Sequence, residues 1–578
     1  METKKAPQIP YGISDFVRMR TENYYYVDKT MYLPLIEDTA SYIFMIRPRR
    51  FGKSLFLSMM SAYYDILQKD RFEELFGGLW IGSNPTDQRN RFQMIYFDFS
   101  KAGASLERLE ENFDAYCSIV LHTFARNYAS FYDADFEEEI KNIGTAKLKL
   151  EYIAQQAASK GYPLYLIIDE YDNFTNIVLS EQGKDKFREL THASGFYREY
   201  FKQFKGMFAR IFLMGVSPVT LDDLSSGYNI DWGISNDPRF NAMMGFSETD
   251  VRQMLACFRQ FGKLEGDIDA MIEEMRPWYN NYCFAEECLN EDRVFNCDMT
   301  LYYLRHRIQT GKAPKEMVDK NIRTDYSKLR MLARLDHETQ HEGMRMSTIE
   351  EIAAKGEILV RLQTSFPAER VTDMENFRSL LYYYGMLTIC GTLGDRLRMC
   401  IPNQCVREQY YGFLRDYYQR QNSIDVHYLR DAFDEAAYGG NWKQLIDFIA
   451  QSYKANSSVR DAIEGERHLQ GFTKAYLALT NYYLLQPELE MNYGYCDFFL
   501  LPDKQRFPDV KHSYILELKY APRTATPKEL EAQAAEGRKQ LEQYAQDKKA
   551  LHLAEGTTLH KLLLQFKGWE LVKCEEIN

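Results

Sequence analysis

The sequence RPRRFGKSLF (residues 47–56) directly follows the apolar run YIFMI (residues 42–46) and decides the fold of the N-terminal part. An apolar strand, a short loop and Gly-Lys-Ser at the start of a helix together form a phosphate-binding loop. In such a loop the backbone N–H groups face the phosphates, Lys53 reaches the β- and γ-phosphate oxygens, and Ser54 ligates Mg²⁺. The sequence therefore predicts a site for a nucleoside triphosphate and Mg²⁺.

The loop departs from the usual phosphate-binding pattern, because Arg47 stands where a glycine is expected. Gly52 still permits the tight turn, and Phe51 precedes it within the predicted binding segment. We expect the positive charges of the loop to face nucleotide phosphates, and Arg49 or Arg50 could equally be structural. The residues that carry these charges are Arg47, Arg49, Arg50 and Lys53. The alternative is a basic strand-to-helix turn with a chance Gly-Lys-Ser.

Two acidic residues follow a second apolar run, in the segment LYLIIDEYDNF that begins at Leu164. A buried parallel strand that delivers acids at its carboxyl end is typical of the Walker B pattern. We predict that Asp169 holds Mg²⁺ through water and that Glu170 polarises the attacking water. The alternative is an ordinary solvated strand end.

Two further apolar runs, MIYFDF from Met94 and IFLMGVSP from Ile211, bring the predicted strands to four. Helical stretches separate them, which predicts an α/β fold with a doubly wound parallel sheet flanked by helices. P-loop ATPases with a second acid after the Walker B aspartate place another strand between the P-loop and Walker B strands. That strand ends in a polar sensor residue, for which Ser217 is the candidate.

Several segments together resemble the bacterial AAA-ATPase-like family and span roughly the N-terminal half of the chain. They are IPYGISDF from Ile9, YYVDKT from Tyr25, RPRRFGKSLF, IIDEYD, GVSP, and SGYNI from Ser226. The resemblance implies ATP binding and, in many members, a C-terminal nuclease-like domain. It also implies a lid segment, here PWYNNYCF from Pro277, in which Asn280 and Asn281 replace the usual Asp-Gly pair.

The segment HSYILELKYAP, from His512, predicts a strand that places Glu517 and Lys519 on one face. Asp497 lies at the head of a preceding apolar strand, and the polar residues 503–511 read as the hairpin connection. This is the D…E-x-K arrangement of PD-(D/E)XK nucleases. In them the acids bind Mg²⁺ or Mn²⁺, and the lysine helps to activate water and stabilises charge on the phosphate.

Supporting residues are predicted around the two nuclease acids. Gln540 and Tyr544 lie four residues apart on one helical face, where the superfamily places a supporting Gln and Tyr, and Glu466 is a further candidate ligand. Asp509, after Pro508, is a competing first acid, but it falls in the polar connection, so we prefer Asp497. The alternative for the whole arrangement is a solvated strand with charged residues on its outer face.

Composition limits the class of protein. The 578 residues, 45% of them hydrophobic, are enough for three or four domains with sizeable cores. The N-terminus has no signal-peptide core and no apolar run approaches the roughly 18 residues needed to span a bilayer, so we expect a cytoplasmic protein. The net charge of −12 argues against a generally basic surface. Local positive charge surrounds the nuclease strands, however, at Lys504, Arg506, Lys511, Lys519 and Arg523.

Four domains are predicted: an AAA-ATPase-like P-loop domain (1–245), a helical lid (246–310), a helical or winged-helix-like region (311–438) and a restriction-endonuclease-like α/β domain (443–578). Residues 438–442 are the predicted linker to the last of these. The ten cysteines form no C-x-x-C pair, and a zinc set made of Cys283, Cys288, Cys297 and His306 matches no standard spacing.

The sequence as a whole predicts an ATP-hydrolysing protein with a metal-dependent nuclease domain, in which nucleotide state gates access to nucleic acid, with DNA favoured. The main alternative is an ATP-dependent switch or scaffold that binds nucleic acid without cutting it. A kinase is a third option, disfavoured because no acceptor motif stands out. Homo-oligomers are an open expectation, with Arg239 as a candidate arginine acting across a subunit interface.

Overall fold

The computed structural model describes most of the chain. The described residues are 5–102, 108–172, 196–204, 206–219, 232–291, 293–319, 344–367, 370–371, 373–419, 426–457, 465–480, 482–491, 494–504 and 506–577. The SGYNI segment that contributed to the family resemblance lies outside them. The chain forms two compact units, one of residues 1–312 and 359–402 and the other of residues 313–358 and 403–578. The predicted middle region 311–438 is thus divided between two units, and the predicted domain boundaries stay predictions.

The first unit is built on a five-stranded sheet whose pairings are all parallel. Its strands are β1 (Tyr42–Ile46), β2 (Gln93–Asp98), β3 (Leu164–Asp169), β4 (Arg210–Gly215) and β5 (Trp232–Gly233). The spatial order is β2-β3-β4-β1-β5. β4 therefore lies between the strand before the GKS loop (residues 47–54) and the strand that ends in Asp169, as the sequence predicted. The two-residue strand β5 was not among the four strands predicted from the sequence.

Flanking helices cover this sheet, and the helices of the predicted lid (residues 246–310) follow it. The helices before the lid are α1 (Phe16–Thr21), α2 (Tyr32–Thr39), α3 (Lys53–Tyr64), α4 (Phe72–Phe76), α5 (Trp80–Ser83), α6 (Leu109–Asn127), α7 (Phe136–Asn142), α8 (Ala146–Lys160) and α9 (Phe196–Lys202). The lid helices are α10 (Glu248–Gln260), α11 (Ile268–Tyr279) and α12 (Cys297–Thr310). Ser247 caps α10: its side chain accepts from the N–H of Asp250, whose side chain accepts from the N–H of Ser247.

Strand β3 shows why the acids are held firmly at the sheet edge. All six of its residues are buried, as expected for a strand in a parallel sheet covered by helices. Gly215, at the end of β4, allows the chain after β3 to approach closely. A Cβ at this glycine would lie 2.3 Å from the ring of Tyr171. The ends of β3 and β4 are therefore packed together where nucleotides bind in sheets of this kind.

The winged-helix-like segment contains α14 (Met374–Tyr383) and the hairpin of β7 (Thr388–Leu393) and β8 (Arg396–Cys400). β6 (Glu357–Val360) joins the hairpin in a three-stranded sheet of order β6-β8-β7. The hairpin turns at Gly394, whose φ of 62° favours glycine. Seven of the ten residues of α14 are buried, so most of this helix packs in the interior of the first unit.

The second unit contains a five-stranded mixed sheet of order β13-β12-β11-β10-β9. Its strands are β9 (Tyr483–Met491), β10 (Gly494–Pro502), β11 (His512–Ala521), β12 (Thr558–Lys567) and β13 (Glu570–Glu576). β11 and β12 run parallel and the other neighbours run antiparallel. Its helices are α13 (Met344–Lys355), α15 (Gln404–Gln419), α16 (Val426–Asp434), α17 (Lys443–Ser457), α18 (Glu466–Leu477), α19 (Pro527–Ala545) and α20 (Lys548–Leu553). Within the described residues, no helix is both long and apolar enough to cross a membrane.

A chain of hydrogen bonds, here called the Trp442 network, fastens residues 438–442 to this second sheet. The Trp442 indole N–H donates to Glu576 Oε2 at 3.0 Å, and His560 Nδ1 lies 2.6 Å from Glu576 Oε1. His560 Nε2 lies 2.9 Å from Nδ1 of His512, and the ring of His512 packs against Gly440. The predicted linker is therefore a packed part of the second unit.

We expect the Trp442 network to weaken as the pH falls. Burial lowers the pKa of His512, with a contribution from His560, so below pH 6.5 the unfolded chain takes up a proton that the folded chain resists. Burial alone would raise the pKa of Glu576, but hydrogen bonds from His560 and Trp442 give a net lowering. Its stabilisation is present above pH 4.5 and is lost at lower pH.

The contribution of this network is the difference in unfolding midpoint between the unmodified chain and a paired variant that carries His512→Asn and Glu576→Gln. This difference should shrink by a few degrees between pH 7 and pH 4.5 in thermal melts followed by tryptophan fluorescence. The comparison of the two chains is needed because the raised pKa values of Asp497 and Glu517 change the stability of both in the opposite direction. A midpoint difference that stays the same at the two pH values would contradict the assignment.

Candidate functional site

The GKS loop borders a cavity of about 370 Å³ in the first unit. Arg49 to Phe56 form one wall and Glu170 contributes an acid. The remaining wall is largely apolar and comes from the N-terminal segment and the lid, with Pro10, Ile13, Tyr25, Val27, Met243, Met244, Phe246, Met254 and Leu301 among its residues. A cavity with a phosphate-binding loop at one end and an apolar wall at the other suits a nucleotide.

Gly52 and Lys53 have the geometry that a phosphate-binding loop requires. Gly52, with φ 85°, precedes the first residue of α3, so backbone N–H groups at this helix start point towards the loop. The Lys53 side chain is 5% exposed. Its ammonium donates to the carbonyl of Pro48 at 3.1 Å and lies 3.8 Å from Glu170 Oε1. The lysine is thus held beside the loop by weak partners that a phosphate oxygen can replace.

Ser54 and Asp169 meet at the carboxyl edge of the sheet. The Ser54 hydroxyl donates to Asp169 Oδ2 at 2.6 Å, while Asp169 Oδ1 has no hydrogen-bond partner among the described residues. Burial raises the pKa of Asp169 to about 6, opposed by the bond from Ser54. A hydroxyl beside a buried carboxylate with an unused oxygen fits the oxygen ligands that Mg²⁺ prefers. Ser54 also borders a second, polar cavity of about 410 Å³ that Asp169 lines.

Glu170 occupies a strained backbone position. Its φ is 52°, in the left-handed region that non-glycine residues rarely adopt, and its side chain reaches the cavity. Such strain persists only where surrounding packing imposes it, and it is concentrated at functional sites. The structure therefore aims this carboxylate into the cavity beside Lys53.

Ser217 follows β4, at the predicted position between β1 and β3, but its side chain is completely buried. Its hydroxyl accepts from the N–H of Val219 at 3.2 Å, and it does not line the nucleotide cavity. Its role as a sensor stays a prediction.

Arg47 corrects one sequence expectation, because its charge does not face the cavity. The side chain is 1% exposed and donates to the carbonyls of Ile46, Ser235 and Phe240 at 2.6 to 3.0 Å. Its guanidinium also lies 4.3 Å from the ring centre of Phe284, and burial lowers its pKa to about 10. A buried arginine thus occupies the position of the expected glycine and anchors the loop from behind.

The other arginines have varied surroundings. Arg49 and Arg50 line the cavity, and their binding to phosphates stays a prediction. Arg50 has φ 68° and forms an ion pair with Asp298 of the lid at 3.3 Å. Arg239, the candidate for action across an interface, is held by Asp237 at 2.6 Å on the surface.

The second unit brings the predicted nuclease residues together. Asp497 Oδ2, on β10, accepts from the backbone N–H of Leu518 at 2.7 Å, which ties it to the neighbouring strand. The Lys519 ammonium lies 2.9 Å from Glu517 Oε1 and donates to Gln540 Oε1 at 2.6 Å. The two acids, the lysine and the glutamine therefore form one cluster between the sheet and α19.

The charges in this cluster are perturbed by burial. Burial raises the pKa of Glu517 to about 7, reinforced by Asp497, and raises that of Asp497 to about 6. Burial lowers the pKa of Lys519, but the Glu517 carboxylate outweighs it and the net shift is upward. Glu517 is 3% exposed, and its Oε2 has no hydrogen-bond partner among the described residues. Two close carboxylates with an unused buried oxygen fit a divalent cation.

Two stretches of the chain match known protein families. Residues 10–225 match the family described as Predicted AAA-ATPase, and residues 464–576 match the PD-(D/E)XK nuclease superfamily. The chain combines an AAA-ATPase-like domain with a PD-(D/E)XK nuclease superfamily domain. A curated relative from Azotobacter chroococcum mcd 1, described as "Uncharacterized protein in vnfD 5'region", is 30% identical over 292 residues. That alignment covers 49% of this chain and 50% of the relative, so the chain spans about half the length of the curated protein it matches.

Two residues of the nuclease superfamily domain were missed by the sequence analysis. The Gln470 amide donates to Asp497 Oδ1 at 3.3 Å, and Lys474, 1% exposed, lies over the ring of Phe498 and helps to keep Asp497 ionised. Both are on α18, where Glu466, Gln470 and Lys474 recur every four residues and so share a face. The four-residue spacing from Glu466 could have predicted Gln470 and Lys474 from the sequence. Glu466 itself is exposed, and its negative charge acts on Asp497.

The geometry of the nuclease superfamily domain distinguishes between Asp497 and Asp509, the two candidates for the first acid of the D…E-x-K arrangement. Asp509 is exposed in the connection before β11, whereas Asp497 is in the cluster. Tyr544 packs in the buried core beside Ile515 and Leu563. Two of the predicted phosphate-facing cations are engaged internally instead, because Lys504 donates to the carbonyl of Glu555 and Arg506 pairs with buried Asp503.

No zinc set is formed in the AAA-ATPase-like domain. Cys283 and Cys288 pack with Ala285 in a small buried cluster. Across the part of the chain that the structure describes, no group of three or more His, Cys, Asp or Glu is arranged to hold a metal ion.

Proposed function

We propose that this chain binds and hydrolyses ATP in its AAA-ATPase-like domain and cleaves nucleic acid, with DNA favoured, in its nuclease superfamily domain. We further propose that the nucleotide state controls cleavage. The observation that carries the first part is that Lys53, Ser54 and Glu170 line one cavity at the carboxyl edge of a parallel sheet, where Ser54 also donates to Asp169. The matching observation for the second part is the Asp497, Glu517 and Lys519 cluster.

In the ATPase site, each side chain has a role that its position supports. Lys53 and the N–H groups at the start of α3 bind the β- and γ-phosphates, and Arg49 adds positive charge along the same wall. Ser54 and Asp169 would hold Mg²⁺, which when bound neutralises charge on the transferred phosphoryl group. Glu170, aimed into the cavity, accepts a proton from the attacking water. The apolar wall of the cavity receives the base.

In the nuclease site, Asp497 and Glu517 would hold a divalent cation, Mg²⁺ or Mn²⁺. Such a cation supplies Lewis-acid stabilisation of the scissile phosphate when bound. Lys519 lies between Glu517 and Gln540, so its ammonium can orient a water molecule and stabilise negative charge on the phosphate. Gln470 and the N–H of Leu518 fix the Asp497 carboxylate in place.

The proposal is tested with linear, circular and single-stranded DNA and with RNA, in Mg²⁺ or Mn²⁺, with and without ATP. We expect cleavage of at least one substrate, with a rate that changes at least about tenfold on addition of ATP. Lys53→Ala should cleave at one rate whether or not ATP is present. Cleavage that ignores ATP would reject the gating. ATP hydrolysis without cleavage in any condition would instead indicate a nucleotide-dependent switch that binds nucleic acid without cutting it.

A further inference from the structure

Ser54 borders two cavities of the first unit: the nucleotide cavity and the second one of about 410 Å³, here called the polar cavity. The polar cavity follows one face of α3, where Ser54, Ser58 and Ser61 recur at helical spacing. Asp65, just after the helix, also lines it and lies roughly 16 Å from Ser54 along the helix axis, at about 1.5 Å per residue. The polar cavity therefore extends from the predicted Mg²⁺ ligand along α3.

Two oxygen atoms of residues that line the polar cavity have no hydrogen-bond partner among the described residues. They are Oδ1 of Asp169, which is 2% exposed, and Oε1 of Gln68. A bound Mg²⁺ keeps several water molecules, and a cavity of this size can hold them, because one water occupies about 30 Å³. Unused acceptors in a polar cavity next to Ser54 thus suit water bound to the metal.

Asp98 brings a second carboxylate to the polar cavity. The register of β2 and β3 pairs Asp98 with Asp169, so the two side chains leave neighbouring strands about 4.8 Å apart on one face of the sheet. Tyr96, two residues earlier on β2, is on that face too, and its phenol donates to Asp169 Oδ2 at 3.4 Å. All three residues line the polar cavity. The end of β2 is therefore a wall of the predicted metal site.

The Asp98 carboxylate is fixed by its own turn and keeps acceptor capacity. Its Oδ1 accepts from the N–H of Ser100 at 3.1 Å and from the Ser100 hydroxyl at 2.6 Å, and its Oδ2 lies 3.0 Å from the Lys101 ammonium. A carboxylate has about four acceptor sites, so about one remains on Oδ2 within the described residues. The Lys101 side chain is 70% exposed, so its ion pair is weak and leaves Asp98 able to interact with a second cation.

We propose that Asp98 is a positioning residue for the metal of the ATPase site. Its carboxylate accepts a hydrogen bond from water bound to Mg²⁺ in the polar cavity and so helps to fix the ion beside Ser54 and Asp169. This inference rests on the proposed ATPase function and adds a third group to its metal site. Asp98 lines the polar cavity and Glu170 lines the nucleotide cavity, so the first acid acts on the metal and the second on the attacking water.

The test measures Mg²⁺ binding to the full chain with a fluorescent, non-hydrolysable ATP analogue. The readouts are the Kd of the analogue in EDTA and the Mg²⁺ concentration that gives half of the metal-induced change in its fluorescence. Asp98→Asn keeps an acceptor for Ser100 but removes the charge, so the half-effect Mg²⁺ concentration should rise about tenfold, with the Kd in EDTA within about twofold. Lys101→Gln should lower the half-effect Mg²⁺ concentration about threefold, because the lysine no longer competes for Oδ2.

Asp65→Asn is the matched control. Asp65 also lines the polar cavity and caps a turn, since its side chain accepts from the N–H of Leu67, but it lies far from Ser54 along α3. Its variant should change the half-effect Mg²⁺ concentration less than about twofold, because a single charge at that distance is largely screened.

An unchanged Mg²⁺ response in Asp98→Asn, an equal rise in Asp65→Asn, or a rise in Lys101→Gln would each overturn the positioning role. The Lys101 side chain is exposed, so its variant tests the inference even if Asp98→Asn does not fold. Weaker Mg²⁺ binding in Ser54→Ala with no change in Asp98→Asn would reject this inference alone. If the unmodified chain binds the analogue no tighter than Lys53→Ala does, the proposed ATPase function fails and this inference fails with it.

Discussion

Lys53→Ala is expected to abolish ATP hydrolysis and to weaken nucleotide binding at least about a hundredfold. The Lys53 ammonium is buried beside the GKS loop, where it contacts the Pro48 carbonyl and lies 3.8 Å from the Glu170 carboxylate. Alanine removes this positive charge and leaves Glu170 without its lysine partner. The measurement is a fluorescent ADP titration together with phosphate release under saturating ATP.

Glu170→Gln separates binding from chemistry at the same site. The amide keeps the shape of the side chain at its strained backbone position but cannot accept a proton, so kcat should fall at least about a hundredfold with ADP affinity within about threefold. For Lys53→Ala, the control is Lys69→Ala, which removes the positive charge of an exposed lysine in residues 66–71.

Hydrolysis retained in Lys53→Ala would contradict the assignment of the cavity as the ATP site.

Glu517→Gln should abolish nucleic-acid cleavage, with a loss of at least about a thousandfold, because a metal ligand and its charge are removed together. The substitution is nearly isosteric at a side chain that is 3% exposed, so the fold should be retained. The unmodified chain should also bind Mn²⁺ at this site in a calorimetric titration, and Glu517→Gln should not. That readout is independent of turnover.

Asp509→Asn is the matched control for the nuclease prediction. It neutralises the acid that competes with Asp497 in the sequence, yet Asp509 is exposed and outside the cluster. We expect unchanged cleavage in Asp509→Asn and a loss in Asp497→Asn comparable with that in Glu517→Gln. The reverse pattern would show that the first acid has been assigned to the wrong strand.

The chemistry of strand ends and of short loops was predictable from the sequence, because those patterns are local. GKS at the start of a helix, acids after β3, and E-x-K alternation on β11 each depend on residues within a few positions of one another. The position of β4 between β1 and β3 was also expected, because P-loop ATPases with a second acid after the Walker B aspartate have this strand order. These predictions required no knowledge of distant contacts.

Other features depend on contacts between distant segments, and the sequence pattern does not encode them. Arg47 looks like a phosphate ligand until the carbonyls of Ser235 and Phe240 are brought to it. Gln470 reaches Asp497 only because α18 packs beside the second sheet. Tyr382 meets the Asn236 amide from a segment that returns to the first unit at residue 359. A charged or aromatic residue read alone gives no sign of such a partner.

The anchoring of Arg47 has a practical consequence for dissecting this protein. The family match ends at residue 225, yet two of the three carbonyls that hold the loop belong to Ser235 and Phe240. A fragment that contained only the matched residues would leave the buried Arg47 guanidinium without the carbonyls of Ser235 and Phe240 as acceptors. Loss of nucleotide binding in such a fragment would result from the choice of its C-terminal end and would not show that the domain lacks the activity. An expressed fragment should therefore extend beyond Phe240.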